Sequence, residues 1–132
     1  MTKPAIFFLH HAPSSASWLA YQLAESLAEQ HRMRAAFFYA DAVQIADQTH
    51  PYCCNALNLT QAWSQLALNY QLPCGLCRSS VLHRNMMTED NPVVNKTTDD
   101  NPPASRLAPG FQLSSLTEFI VWKEQSQRVL VF

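Results

Sequence analysis

Four cysteines are the side chains best suited to chemistry in this 132-residue chain, and they fall in two pairs, Cys53-Cys54 and Cys74/Cys77. Cys77 is singled out by its setting. It closes the apolar run Leu72-Pro73-Cys74-Gly75-Leu76 and opens a helix-like stretch from Arg78 to about Asn85. A thiol where a strand becomes a helix meets the unpaired amide donors of the first turn and the positive end of the helix dipole. Both favour thiolate over thiol, and the thiolate is the form that attacks or carries sulfur. Arg78, His83 and Arg84 add positive charge to the same segment, and His10, with His11, follows an apolar run near the start of the chain. The pattern points to sulfur chemistry at Cys77, with Arg78, Arg84, His83 and His10 as candidates for tuning the thiolate.

Competing readings remain open at this level. Cys77 could be a small buried apolar residue, as unreactive cysteines commonly are. Cys74 and Cys77 form a Cys-x-x-Cys pair, the spacing of a dithiol redox centre. In such centres the first cysteine normally opens the helix, whereas here Cys74 falls inside the expected strand. A zinc site built from the four cysteines, with His50 or His83, lacks the two separated hooks that structural zinc uses. Ser79 or Ser80 as a hydrolase nucleophile lacks the Gly-x-Ser-x-Gly elbow. With only Gly75 and Gly110 in the chain, a glycine-rich phosphate loop cannot be built. No cofactor or metal is expected.

The elements that must position Cys77 follow from hydrophobic patterning. Residues 4 to 9 (Pro-Ala-Ile-Phe-Phe-Leu) and 33 to 39 (Met-Arg-Ala-Ala-Phe-Phe-Tyr) read as strands covered on both faces. Leu72 to Cys77 reads as a third strand and Arg128 to Phe132 as the last. Between them, Ala16, Leu19, Leu23 and Leu27 recur at helical spacing behind the capping candidates Ser14 and Ser15. Leu59, Ala62, Trp63, Leu66 and Tyr70 do the same behind Asn58, with Gln61 three residues on. Ser115 with Glu118 caps a final helix carrying Leu116, Phe119 and Ile120. Trp18, Trp63 and Trp122 read as helix packing, with Trp122 also a candidate oligomer face. Strands alternating with amphipathic helices imply a three-layer α/β/α fold with a mainly parallel sheet. All carboxyl ends then share one edge, where ligand sites of such sheets form. His10, His11, Tyr39, Asp41 and Cys77 fall there.

Composition bounds the rest. Length and 48% apolar residues predict a single compact domain spanning 1–132. The segment 86–109 is polar, holds four prolines and reads as a lid or mobile loop, within which no strand can be placed. A net charge of −1 disfavours direct contact with nucleic acid or an anionic membrane. No apolar stretch approaches membrane-spanning length, and the apolar run at the start is too short for a secretory signal. A cytoplasmic location, where thiols stay reduced, is expected.

The succession of motifs resembles a known family. Phe37-Phe38-Tyr39-x-Asp41-x-Val43, Asn58-Leu59-Thr60-Gln61-Ala62-Trp63, Cys77 through Arg84, Gly110-Phe111-x-Leu113-Ser114-x-Leu116 and the closing Arg128 to Phe132 are similar, in order, to the motifs of the TusD/DsrE sulfur-relay proteins. The resemblance implies a DsrE-like fold and a sulfurtransferase that carries sulfur as a persulfide on Cys77. It implies TusB-like and TusC-like subunits in a heterohexamer, a TusA-like sulfur donor and a TusE/DsrC-like acceptor. The expected end product is tRNA 2-thiouridine or, in sulfur oxidisers, a feed into sulfite-forming metabolism. Departures are Ala42 and Asn85 where the family has glycine, Cys53-Cys54-Asn55 in a loop that is often Ser-Asp-Glu, and the extra thiol of Cys74. The alternatives are a non-catalytic scaffold subunit and a Cys-x-x-Cys redox protein.

Overall fold

Five short strands lie side by side and all run the same way. The computed structural model describes residues 4–86 and 106–132, so the expected loop at 86–109 lies, but for its two ends, outside the described residues. The strands are β1 (Ala5–Leu9), β2 (Met33–Phe38), β5 (Cys74–Cys77), β6 (Phe111–Ser114) and β7 (Arg128–Val131), in the order β6-β5-β2-β1-β7. A separate hairpin joins β3 (Cys53–Cys54) to β4 (Leu57–Asn58). Its two turn residues, Asn55 and Ala56, both have positive φ, as a tight two-residue hairpin turn requires. The central strands explain their sequences. Ile6, Phe7, Phe37 and Phe38 are at most 1% exposed, and a strand covered on both faces needs no polar alternation.

Helices α1 (Ser15–Glu29), α2 (Leu59–Tyr70) and α3 (Arg78–His83) pack on one face of the sheet, and α4 (Leu116–Glu124) packs on the other. The caps form as the sequence predicts. Ser14 Oγ accepts from Ala16 N at 3.2 Å, Asn58 Oδ1 from Gln61 N at 3.0 Å, and Ser115 Oγ from Glu118 N at 3.3 Å. The buried stripe of α1 differs from expectation. Ser17, Ala20, Ala24 and Ala28 face the sheet, whereas Leu19 is 56% and Leu23 40% exposed. Small side chains let the helix axis come close to the strands, a gain in packing that a ranking by hydrophobicity does not show. On α2, Trp63 is fully buried and meets Phe38 edge-on at 5.2 Å, while Tyr70 points outward. On α4 the large residues Leu116 and Ile120 are exposed, and Trp122 fills the space against the sheet. Arg34 on β2 stands over the Trp122 ring at 5.9 Å and holds Gln125 Oε1 at 2.6 Å.

A 3₁₀ helix, Ala40–Ala46, follows β2 and opens with Ala40 at positive φ. Ala40 N donates to Ser80 Oγ at 2.9 Å, which ties this turn to α3. At its far end buried Asp47 anchors the chain where it re-enters the described region. Asp47 Oδ2 accepts from Arg106 Nε at 3.1 Å, and Oδ1 accepts from Thr49 N at 3.0 Å and Thr49 Oγ1 at 2.5 Å. Burial alone would raise this carboxyl, but the Thr49 and Arg106 hydrogen bonds outweigh it and hold the group below its ordinary 3.8.

Asp47→Asn is therefore expected to lower stability at neutral pH by about 1–3 kcal/mol, the cost of a disrupted buried network. A carboxyl lowered by folding stabilises the protein above its ordinary value, and that contribution is lost as pH falls through the lowered one. Urea unfolding should show the deficit of the variant at pH 7 shrinking toward pH 3. A deficit of the same size at both would show that the carboxylate charge is not what matters.

Candidate functional site

Strand alternation separates the two cysteines of the Cys-x-x-Cys pair. Cys74 and Cys77 are three residues apart on β5, so their side chains leave on opposite faces. Cys74 lies with the large core under α1, α2 and α3, at 0% exposure, and burial pushes its thiol up to about 12. Cys77 belongs to the smaller cluster under α4, with Ile6, Ala35, Phe37 and Trp122. Both are free thiols. The sheet stands between them, so the dithiol reading fails in this fold. Cys53 and Cys54 sit in the β3–β4 hairpin, and with Cys74 and Cys77 facing opposite ways the four thiols do not converge on one metal position.

Cys77 is the last residue of β5 and the N-cap of α3, the strand-to-helix junction that its sequence context predicts. Two features differ from expectation. The side chain is 6% exposed and rests among apolar groups, and it makes no capping hydrogen bond to the helix amides. The helix itself is only six residues long, which limits its dipole.

Gly75 shapes the floor of this site. A Cβ there would lie 3.0 Å from Ser114 Cβ and 3.0 Å from two carbons of the Trp122 ring. The missing side chain is what lets the indole lie against β5 two residues before Cys77. Gly75 and Trp122 were legible only as a strand residue and as helix packing or an oligomer face; one of just two glycines placed inside an apolar strand was the available signal.

The cationic candidates are dispersed. Arg84, at the far end of α3, donates from Nε at 3.0 Å and from a terminal nitrogen at 2.7 Å to Asp41 Oδ1, and its other terminal nitrogen donates to the Ser80 carbonyl at 3.1 Å. Its role is to pin the 3₁₀ helix to α3, not to face the sulfur. Arg78 is the exposed first residue of α3 and the candidate nearest in sequence to the thiol. His83 is exposed at the last position of the same helix. His10 follows β1 and meets the His11 ring at a tilt, 4.2 Å between centroids, with β2 standing between β1 and β5. The shared carboxyl edge is as expected; Arg84 turns to Asp41 instead of the sulfur.

The position within the sheet carries a further meaning. Connections leaving β1, β2 and β5 run to helices on one face, while β6 leads to α4 on the other. The exits thus diverge between β5 and β6, and crevices of open parallel sheets form where such exits diverge. Cys77 and Ser114, the last residues of these two strands, are partners in the register. A buried sulfur at the end of such a strand, on an apolar floor, can be presented to a partner's sulfur while being kept from bulk water.

Comparison with known proteins places the chain among sulfur-handling relatives. The model of the DsrE/DsrF-like family matches residues 3–132. Sulfurtransferase TusD of Serratia proteamaculans is 31% identical over 114 residues, 86% of this chain and 84% of the relative. The Sulfurtransferase TusD homolog of Pasteurella multocida is 32% identical over 114 residues, 86% of this chain and 85% of the relative. Among solved structures, the ychN protein from E. coli superposes with a TM-score of 0.75 over 99% of this chain and 100% of its own, at 19% identity, a likeness of fold.

Gly75→Ala forces a methyl group against the Ser114 Cβ and the Trp122 ring, and should cost about 1–3 kcal/mol in thermal or urea unfolding. A fully stable variant would show that the indole is not held against β5. Brief iodoacetamide treatment of the native protein at pH 8 should label exposed Cys53 and leave Cys74 unlabelled by peptide mass spectrometry, since burial keeps that thiol protonated. Equal labelling of the two would contradict the buried position of Cys74.

Proposed function

The chain belongs to the DsrE/DsrF-like family, and from that premise we propose that it is a sulfur-relay protein carrying sulfane sulfur as a persulfide on Cys77. The observation that carries the reading is the place of Cys77, a free thiol ending β5 where the exits to α3 and α4 diverge. The sulfurtransferase names of relatives aligned across most of the chain support it.

The transfer needs no outside oxidant. The Cys77 thiolate attacks the outer sulfur of a donor cysteine persulfide, a new S–S bond forms at Cys77, the donor S–S bond breaks, and the donor departs as a thiolate. Delivery repeats the step with an acceptor thiolate attacking the outer sulfur held on Cys77, which regenerates the Cys77 thiolate. The apolar floor of Phe37 and Trp122 limits access of water and oxidants to the persulfide between the two steps. The expected donor is a TusA-like protein and the expected acceptor a TusE/DsrC-like protein, with TusB-like and TusC-like chains completing a heterohexamer. The product served is 2-thiouridine in tRNA, and the setting is the cytoplasm. Among the described residues no helix is long and apolar enough to cross a membrane.

The 6% exposure of Cys77 in an apolar cluster favours one rival, a scaffold subunit whose cysteine only packs. The two readings separate in one experiment. After incubation with a cysteine desulfurase, cysteine and a TusA-like donor, intact mass spectrometry should show a gain of one sulfur atom, mapped to the Cys77 peptide. Cys77→Ser should reduce loading to background while remaining folded, and Cys74→Ala should load as the wild type does. Undiminished loading of the Cys77→Ser protein would end the assignment, and no loading of the wild type would leave the scaffold reading.

A further inference from the structure

Ser114 is buried beside Cys77 with a hydroxyl that has no hydrogen-bond partner among the described residues. It ends β6, and its Cα is the register partner of Cys77. Neighbouring strands stand about 4.8 Å apart, and register partners in a parallel pair point to the same face, so hydroxyl and sulfur rise from adjacent points of one surface. Gly75 fixes the direction independently, because its absent Cβ would lie 3.0 Å from Ser114 Cβ on that same face. Ser114 is 5% exposed, and its Oγ has no hydrogen-bond partner among the described residues. The adjacent Ser115 does have a task, since its Oγ caps α4 through Glu118 N. Leaving a buried hydroxyl unpaired destabilises a fold, and nothing in the packing of β6 requires an oxygen at this position.

We propose that Ser114 Oγ–H donates a hydrogen bond to the ionised sulfur at Cys77, to the thiolate before loading and to the anionic persulfide after it. This rests on the carrier reading above and adds a donor on the face of the sheet that Cys77 enters. The helix amides are not engaged by Cys77, Arg84 is committed to Asp41, and the cluster that holds Cys77 is built of apolar and aromatic residues. An anion placed there gains most from a donor already positioned on the neighbouring strand, because a hydrogen bond to a charged group is stronger in apolar surroundings. The unpaired hydroxyl is then the resting state of a donor that is satisfied when the sulfur ionises.

The test compares Ser114→Ala and Ser114→Thr with the wild type in the full chain, using iodoacetamide alkylation of Cys77 across pH, quantified on the Cys77 peptide, together with sulfur loading. The charged groups on the elements packed around Cys77 and Ser114 (Arg34, Asp41, Arg78, His83, Arg84, Glu118, Lys123 and Glu124) are the same in all three proteins. The alanine variant should react about tenfold more slowly near neutral pH, with its pH–rate profile displaced to higher pH and sulfur loading slowed to match, because one hydrogen bond to a charged sulfur is lost. The threonine variant should recover most of both. The alanine variant should melt at or above the wild-type temperature, since the hydroxyl it removes has no partner among the described residues. An unmoved profile, or a profile displaced equally by threonine, overturns the proposal. So does a marked fall in melting temperature, which would mean that the hydroxyl serves the fold. A displaced profile in a protein whose wild type never loads sulfur would sink the carrier reading while leaving the Ser114 contact in place, so the two failures are distinguishable.

Discussion

The handedness of its crossovers decides where this sheet can hold a reactive group. A twisted parallel sheet accepts right-handed returns almost without exception. Successive steps from β1 to β2, β5 and β6 proceed in one direction and lay α1, α2 and α3 on one face. The return from β6 to β7 runs the opposite way and puts α4 on the other. The connections part between β5 and β6, the position where crevices of such sheets form whatever residues end those strands. Cys77 and Ser114 are the residues that do.

The same asymmetry makes two different environments from one short strand. Three helices cover one face of the sheet, and Cys74, pointing into that layer, is driven toward the neutral thiol by loss of water alone. Cys77 points to the face covered by α4, in the smaller cluster with Ile6, Ala35, Phe37 and Trp122, and it stands at the strand's end. Two thiols three residues apart thus differ in chemistry because a strand alternates, not because their neighbours in sequence differ. Gly75 lies between them and matters to both faces of the argument: it leaves room for Trp122, which closes the apolar floor under Cys77.

Charge is used differently from what its place in the chain suggests. Arg84 and Asp41 join α3 to the 3₁₀ helix, Ser80 reinforces that joint through Ala40, and Asp47 with Arg106 fixes the far end of the same segment. The polar side chains at the carboxyl edge mostly hold the loops in place. Cys77 packs among apolar and aromatic side chains, with Ser114 as its register partner on the next strand.

Much of this was legible in the sequence. The four apolar runs became strands, the caps at Ser14, Asn58 and Ser115 formed, and Cys77 stands at the junction of β5 and α3, because those features depend on residues a few positions apart. The strand β6, the β3–β4 hairpin and the alanine face of α1 were not legible. A four-residue strand draws its stability from its partner, a two-residue turn from backbone angles, and a close-packed helix from the shape of the surface it meets. Sequence by itself determined four of the five sheet strands and the helices between them, the parallel class of the sheet and the thiol at its carboxyl edge. Only the tertiary structure decided which face each cysteine enters, that Arg84 turns to Asp41, and that Ser114 arrives beside Cys77, since those relations join residues about 37 to 43 positions apart through strand register and helix crossing, which local patterning does not encode.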